Sequence, residues 1–260
     1  MSVDEMDFGR RFGGVARLYG DAGLQAFGAA HVIVIGIGGV GSWAAEALAR
    51  NAVGRITLID LDHIAESNVN RQLHALDGEF GKAKVAAMAA RIQAINPLCV
   101  VGQVEDFVTP ENVEALLDQG ADVVLDAMDD ARAKIAIAAW CRARKQPLVM
   151  TGGAGGRLDP TRISVADLAD TSGDRLLAKV RNQLRRDHGF PKSEKGRFGI
   201  LCVYSDEPVH RPKSRHCDVD ETAITGLNCA GYGSSVCVTA PFGMAAAALV
   251  LNLLQKHRSA

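Results

Sequence analysis

The sequence predicts an α/β fold with a doubly wound, mainly parallel sheet of the Rossmann-like type. Three observations favour this fold. Strand-like apolar runs alternate with helix-spaced apolar patterns over the first 152 residues, a glycine-rich turn follows the first strand, and an Asp ends the second. Such alternation places helices on both faces of a parallel sheet and ligands at the carboxyl ends of its strands.

Short apolar runs give the predicted strands of this first part: 31–36, 55–60, 98–105, 122–127 and 147–152. Apolar residues at helical spacing predict the helices between them: 42–51, 82–95, 109–119 and 131–144. Thr109 and Pro110 fit the start of the third helix, since the hydroxyl can cap it and proline suits a first turn.

After residue 152 the pattern changes. A strand at 162–168, a charged helix at about 173–188, a loop at about 205–228 and a long apolar helix follow. We expect one domain over 1–260, with a nucleotide-binding core at 1–152 and an extension of strands, basic helix and apolar helix at 153–260. Polar residues and a proline interrupt the apolar segment 236–254, so we expect a buried helix or dimer face and no membrane span.

Charge is distributed unevenly along the 260 residues, although the net charge is only -1. Residues 175–217 hold eleven Lys or Arg and four Asp or Glu, a net charge of +7, which leaves -8 elsewhere. Concentrated positive charge suits nucleic-acid phosphates, and a solvated helix face is the alternative. The candidate RNA-binding residues are Lys179, Arg181, Arg185 and Arg186.

The six cysteines form no CxxC pair and no evenly spaced framework, and the first residues have no apolar core. We therefore expect a cytoplasmic protein without a zinc site.

The stretch "GIGGVG" follows the first predicted strand and opens a helix. Gly36 and Gly38 let the backbone turn and approach phosphates beside Gly39, and Gly41 permits close helix–strand packing. With Asp60 at the end of the next strand, 24 residues after Gly36, the pattern predicts a nucleotide site.

The residues after Asp60 distinguish a redox cofactor from a nucleotide that is consumed. Arg71 offers a rigid fork of donors suited to a polyphosphate, and Lys84 on the next helix can reach the same phosphates. Asp129 in "DAMDDA" is a candidate Mg²⁺ or ribose-side carboxylate. Taken singly, Arg71 and Lys84 could also be solvated surface charges. Other candidate cofactor-binding residues near this turn are Asp62, Asn68, Asn70 and Gln72.

These motifs, with "GKAKVAAMAARIQAINP", resemble the ATP-binding core of the ubiquitin-activating-enzyme superfamily, which includes the MoeB, ThiF and HesA proteins. The resemblance implies a Rossmann-like ATP-binding fold that adenylates a carboxylate with ATP and Mg²⁺. It further implies that Asp60 holds the ribose, that Arg71 and Lys84 contact phosphates, and that Asp129 serves the metal. Arg71, Lys84 and Asp129 are thus the candidate catalytic residues.

Two departures from the MoeB and ThiF motifs narrow the choice of subfamily. MoeB and ThiF proteins carry paired CxxC zinc motifs, which are missing here. Their "RYxRQ" segment, whose second Arg reaches the partner subunit's ATP, corresponds to "RFGGVARLYG", with Gly14 in the Arg position. Arg17 or Arg11 is the candidate substitute, and the resemblance implies a homodimer.

The segments "RFGGVARLYG", "TGGAGG" before "DPT", and "NCAGYGS" resemble the superfamily's tRNA-modifying dehydratases over nearly the whole chain. This likeness implies ATP-dependent cyclisation of threonylcarbamoyladenosine in tRNA. It also links the chain to a cysteine desulfurase and its sulfur acceptor, and makes Cys229 a candidate thiol, although a structural cysteine is favoured. An adenylating enzyme for a small sulfur-carrier protein and an NAD-dependent oxidoreductase stay open as alternatives.

Overall fold

A computed structural model describes residues 7–192, 196–210 and 232–257. Helices and strands follow the order α1 (Phe8–Gly28), β1 (His31–Ile35), α2 (Gly41–Arg50), β2 (Arg55–Ile59), α3 (Lys84–Ile95), β3 (Val100–Val104), α4 (Val113–Leu117), β4 (Val123–Asp126), α5 (Ala131–Arg144), β5 (Leu148–Thr151), β6 (Ile163–Asp167), α6 (Arg175–Asp187), β7 (Leu201–Ser205) and α7 (Val236–His257).

The seven strands form one sheet in the order β3-β2-β1-β4-β5-β7-β6. All neighbouring strands are parallel except β6 and β7, which pair antiparallel at one edge. The strand order reverses between β1 and β4, and the crevice at such a reversal is the usual ligand site of an open α/β sheet. The predicted doubly wound, mainly parallel fold is confirmed.

One helix boundary differs from the sequence prediction. α4 begins at Val113 rather than at Thr109-Pro110. The Asn112 carboxamide oxygen accepts the Thr109 N–H at 2.7 Å, which closes a turn over these residues. This local side-chain bond competes with helix formation and delays the helix by one turn.

α7 packs against α2 and against the sheet near β4, β5 and β7. Its buried residues, such as Phe242 and Val250, belong to the same apolar cluster as Val32 and Leu48 from the first half of the chain. α7 is long and apolar enough to span a membrane by composition, with a mean hydropathy of 1.9. Its packing places one face of the helix in the core, and 44% of its apolar window is buried.

The crossing of α7 over α2 depends on Gly243. A Cβ on Gly243 would lie 2.4 Å from the Val40 carbonyl oxygen and 2.9 Å from Trp43 Cβ, far inside normal contact. The glycine lets the C-terminal helix touch the start of α2, directly behind the glycine turn. The C-terminal helix therefore supports the glycine turn from behind.

Candidate functional site

The glycine turn between β1 and α2 leaves no room for side chains at two positions. Gly36 has φ 83°, in the left-handed region, and a Cβ there would lie 3.1 Å from the Ala127 carbonyl group. A Cβ on Gly41 would lie 1.8 Å from the Gly36 carbonyl oxygen. The backbone consequently closes tightly and α2 begins at the crevice, where its first N–H groups can meet an anion.

Asp60, at the end of β2, is anchored by backbone N–H groups. Its carboxylate accepts hydrogen bonds from Ile37 at 2.6 Å and Asp62 at 2.9 Å. Burial raises the pKa of Asp60, while the Lys84 ammonium and these N–H groups oppose the rise. The carboxylate thus ties the glycine turn to the end of β2.

Lys84 is a buried cation of this site and not a solvated surface charge. Its side chain is 6% exposed, and Nζ lies 2.6 Å from Asp62 Oδ2 and 3.7 Å from Asp60 Oδ1. Asp62 itself is 55% exposed. Lys84 therefore balances two carboxylates at the pocket wall, where its charge is poorly screened.

Arg71 lies against the glycine turn. A Cβ on Gly39 would be 3.1 Å from Arg71 Cγ, and the guanidinium donates to Ser67 O and Asn70 Oδ1, both at 2.9 Å. Burial lowers the pKa of Arg71, and the nearby Asp129 carboxylate opposes that shift. These contacts hold the Arg71 guanidinium beside Asp129, so it does not extend freely into solvent.

These groups line one cavity at the carboxyl edge of the sheet. The predicted residues that line it are Gly36, Gly38, Gly39, Asp60, Asp62, Arg71, Gln72, Lys84 and Asp129. Two others have local roles: Asn68 Oδ1 accepts the Ala65 N–H at 3.0 Å, and Asn70 Nδ2 donates to Ser234 O at 2.7 Å. Asn68 and Asn70 shape the loop that carries Arg71.

Sequence reasoning missed part of the lining. Residues 106–108 after β3, residues 152–155 after β5, and Ser234 and Thr239 near the start of α7 also face the cavity. The first two groups follow strands whose carboxyl ends meet at this edge, and that placement could have identified them. The last two come from a distant part of the chain, and no motif near "GIGGVG" points to them.

A buried arginine fastens the loop after β5. Arg157 Nε donates to Gly153 O at 2.9 Å, Nη2 lies 3.2 Å from Asp174 Oδ2, and Nη1 donates to Glu207 O. The Arg157 and Asp174 side chains are 2% and 1% exposed. Because Asp174 also caps α6 by accepting the Leu177 N–H, this network joins the cavity wall to the start of the basic helix.

The four basic residues predicted on α6 divide into two kinds. Arg181 Nη1 donates to Thr171 O and Thr171 Oγ1 at 2.7 Å, and Arg185 Nε donates to Pro191 O at 3.1 Å. Lys179 and Arg186 are exposed and lie on one face with the exposed Arg175. Arg181 and Arg185 are half-buried and bond to neighbouring backbone carbonyls, and the exposed face carries the charges that solvent or a polyanion reaches most freely.

Of the remaining predicted residues, Arg17 does not line the cavity. Arg17 is exposed on α1, and its guanidinium lies over Gly13 and Gly14. Cys229 is outside the described residues. Within the part of the chain that the structure describes, no three His, Cys, Asp or Glu side chains cluster as metal ligands.

Comparisons with known proteins agree with this geometry. Residues 13–260 match the model of the ThiF family. The chain is 51% identical over 258 residues to the Escherichia coli tRNA threonylcarbamoyladenosine dehydratase, covering 97% of this chain and 96% of that protein. The Bacillus subtilis protein of the same name is 44% identical over 188 residues, covering 72% and 71% of the two chains.

The fold matches a solved structure equally well. The crystal structure of the E. coli dehydratase, TcdA, in complex with ATP superposes with a TM-score of 0.88 and 47% identity, covering 99% of both chains. The E. coli MccB structure, at 16% identity and a TM-score of 0.62, shares the fold alone. The model match and the relatives over nearly the whole length show that this chain belongs to the ThiF family.

Proposed function

We propose that this protein is an ATP-dependent tRNA threonylcarbamoyladenosine dehydratase. The observation that carries the proposal is the cavity in which a glycine turn, two basic side chains and Asp129 meet. This cavity lies in a chain that resembles the E. coli dehydratase throughout its length. A nicotinamide cofactor would not require the two cations, so their place in the cavity favours ATP over a redox cofactor.

Each group of the cavity has a role in this proposal. The glycine turn and the start of α2 bind the phosphates of ATP, and Asp60 binds its ribose. Arg71 and Lys84 stabilise the charge that develops during phosphoryl chemistry. Asp129 would hold Mg²⁺, which needs only one or two protein carboxylates beside the phosphates and would help to neutralise their charge.

The reaction then follows from the substrate's own groups. A carboxylate oxygen of the threonyl moiety bonds to the α-phosphorus of ATP, and pyrophosphate leaves. The neighbouring carbamoyl group attacks the activated carbonyl carbon and loses a proton, and AMP departs as the ring closes. The nucleophile and the electrophile belong to one nucleoside, so proximity replaces a second binding site and no protein thiol is required. Cleavage of ATP to drive ring closure makes the enzyme a ligase-class catalyst.

The direct test incubates the protein with ATP, Mg²⁺ and threonylcarbamoylated tRNA and weighs the nucleosides. A product lighter by one water is expected, and its absence with an active relative as positive control refutes the proposal. Pyrophosphate exchange that depends on a small sulfur-carrier protein and not on tRNA would establish the MoeB and ThiF type of activity instead. Tight NADH binding without ATP binding would establish an oxidoreductase.

Arg71→Ala is expected to lower turnover by about 10²- to 10³-fold, because removal of one preorganised charge stabiliser costs roughly 3–4 kcal/mol in the transition state. Lys84→Ala should act in the same direction. Steady-state kinetics and thermal melts measure activity and folding separately. Lys82→Ala is the matched control, since Lys82 lies two residues before Lys84, is exposed, and pairs with Glu79. Wild-type turnover in either variant would remove that residue from the site.

Lys179→Gln with Arg186→Gln should weaken tRNA binding and leave ATP binding intact. Each lost phosphate contact lowers the salt slope of tRNA binding by about 0.7–0.9, so the double variant should lose up to about two such units. Arg55→Gln with Lys145→Gln is the control, because both residues are exposed, neither lies on α6, and neither lines the cavity. An unchanged salt slope would show that these residues only form a solvated helix face. A parallel loss of ATP binding would show that they support the nucleotide site instead of binding tRNA.

We also propose that the protein is a cytoplasmic homodimer that cooperates with a cysteine desulfurase and its sulfur acceptor. An exposed stripe on α7 that includes Met244 and Ala248 supports a contact between two copies. Arg17 on the exposed side of α1 is our candidate for reaching the partner's site. Light scattering at micromolar concentration tests the dimer, and a fully active monomer contradicts it.

A further inference from the structure

A second pocket adjoins the cavity proposed to bind ATP (hereafter the ATP cavity). No group in the proposed reaction occupies this second pocket. Arg71 and Ser234 line both spaces. Glu66, Val69 and Tyr232 are among the residues that line the second pocket alone. A molecule with one end beside the phosphates could therefore extend past Arg71 into this second space.

The segment that carries Tyr232 is fastened on two sides. The Ser234 carbonyl accepts from Asn70 Nδ2 at 2.7 Å, and the Val236 N–H donates to Asn70 O at 3.2 Å. On the other side, the Gly156 N–H donates to Gly233 O at 2.7 Å. These bonds fix the backbone next to Tyr232 between the loop of Arg71 and the loop after β5.

The chemistry of the substrate requires a site for its base close to the phosphates of ATP. In threonylcarbamoyladenosine, four covalent bonds join the adenine N6 to the carboxyl carbon, so the two lie roughly 5 Å apart. When the carboxylate reaches the α-phosphate, the purine must occupy the neighbouring space. Resting on the proposed function, we infer that the second pocket receives the adenine ring of the modified nucleoside and that Tyr232 stacks on it.

The lining offers an aromatic ring and an apolar side chain for stacking, beside the exposed polar side chains of Glu66 and Ser67. Tyr232 offers a half-buried ring and Val69 is an apolar side chain that is 53% exposed. The carboxamide of Asn70 is engaged by Ser234 and Arg71 at both of its ends. Stacking accepts any base, so discrimination for the modified nucleoside comes from its carboxylate beside Arg71 and not from its purine edge.

The test measures binding of an RNA stem-loop carrying threonylcarbamoyladenosine, in the presence of a saturating non-hydrolysable ATP analogue. Tyr232→Ala should weaken binding by roughly 5- to 100-fold, the range of one base–aromatic stack. Tyr232→Phe should bind like the wild type because it keeps the ring. Phe80→Ala is the matched control, since Phe80 is an exposed aromatic residue that lines neither pocket.

Two further stem-loops separate stacking on the purine from a contact with the threonylcarbamoyl group. On unmodified adenosine a stacking deficit of Tyr232→Ala persists, whereas an abasic site lacks both the purine and its N6 group. If the ring stacks on the base, the wild type and Tyr232→Ala bind the abasic RNA equally. The inference is overturned if Tyr232→Ala binds modified RNA normally, if its deficit persists on abasic RNA, or if it loses ATP binding as well. Failure of the wild type to dehydrate the modified RNA with ATP would instead refute the proposed function. The binding measurements use a non-hydrolysable analogue and do not depend on turnover, so the two failures are distinguishable.

Discussion

Arg157→Ala is expected to lower the free energy of unfolding by about 3–5 kcal/mol, as measured by urea denaturation. The change strands the Asp174 carboxylate, which is 1% exposed, without its guanidinium partner. It also removes donors from the carbonyls of Gly153 and Glu207. Because Gly153 lines the ATP cavity, ATP affinity should fall together with stability.

Arg162→Ala is the matched control for that variant. Arg162 lies five residues away and also pairs with an aspartate, Asp206, at 2.9 Å, but these side chains are 42% and 53% exposed. An exposed ion pair contributes little, so this variant should unfold at nearly the wild-type denaturant concentration. Equal midpoints for the two variants would show that the Arg157 network does not stabilise the fold.

Lys134→Met should cost a similar amount, about 3–5 kcal/mol. Lys134 Nζ lies 3.1 Å from Asp126 Oδ1, and both side chains are 0% exposed. Asp126 Oδ2 has no hydrogen-bond partner among the described residues, so Lys134 alone supplies the neutralising charge within bonding distance. The pair fixes the end of β4 immediately before the loop that carries Asp129, and turnover should decline as well.

The pH dependence of this variant has a definite sign. Burial raises the pKa of Asp126, against the pull of Lys134, and removal of Lys134 raises it further. The folded variant then binds a proton more tightly than the unfolded chain, so its stability falls as pH rises from the unfolded to the folded pKa. The deficit against the wild type should therefore shrink in acid and be full above the folded pKa.

Adding Asp126→Asn to Lys134→Met should recover part of the stability at neutral pH, since the amide oxygen can still accept the Met128 N–H. Lys82→Met serves as the control for a lysine in an exposed pair. A deficit that is constant with pH and unrelieved by the second change would show that lost packing, and not an unpaired carboxylate, explains the effect.

Strong local patterns made the parallel part of the sheet predictable. The strands around Ile33 and Leu58 are buried on both faces and read as continuous apolar runs. α1 was not predicted because glycines interrupt its pattern, and it depends on burial of Phe12 and Phe27. β7 was not located either, since it joins β5 and β6 through pairings distant in sequence.

The site residues also divide into those that local sequence patterns predict and those that only tertiary contacts reveal. Residues next to the glycine turn, such as Asp60, were predicted because a short motif fixes their spacing, and the fold then brings Arg71 and Lys84 to them. The backbone contacts of Arg181 and Arg185 were not predictable, because charge counting cannot distinguish an arginine that bonds to backbone carbonyls from one that faces solvent. Ser234 joins the cavity through tertiary contacts alone.

The contact between Gly243 and the start of α2 has a consequence for biosynthesis. A ribosome delivers the glycine turn some two hundred residues before the helix that packs behind it. The nascent amino-terminal half must therefore wait with the apolar face of α2 and β1 uncovered until the last helix emerges. Such a delay favours chaperone capture and slow final closure, and full ATP affinity should appear only once α7 has packed behind the turn.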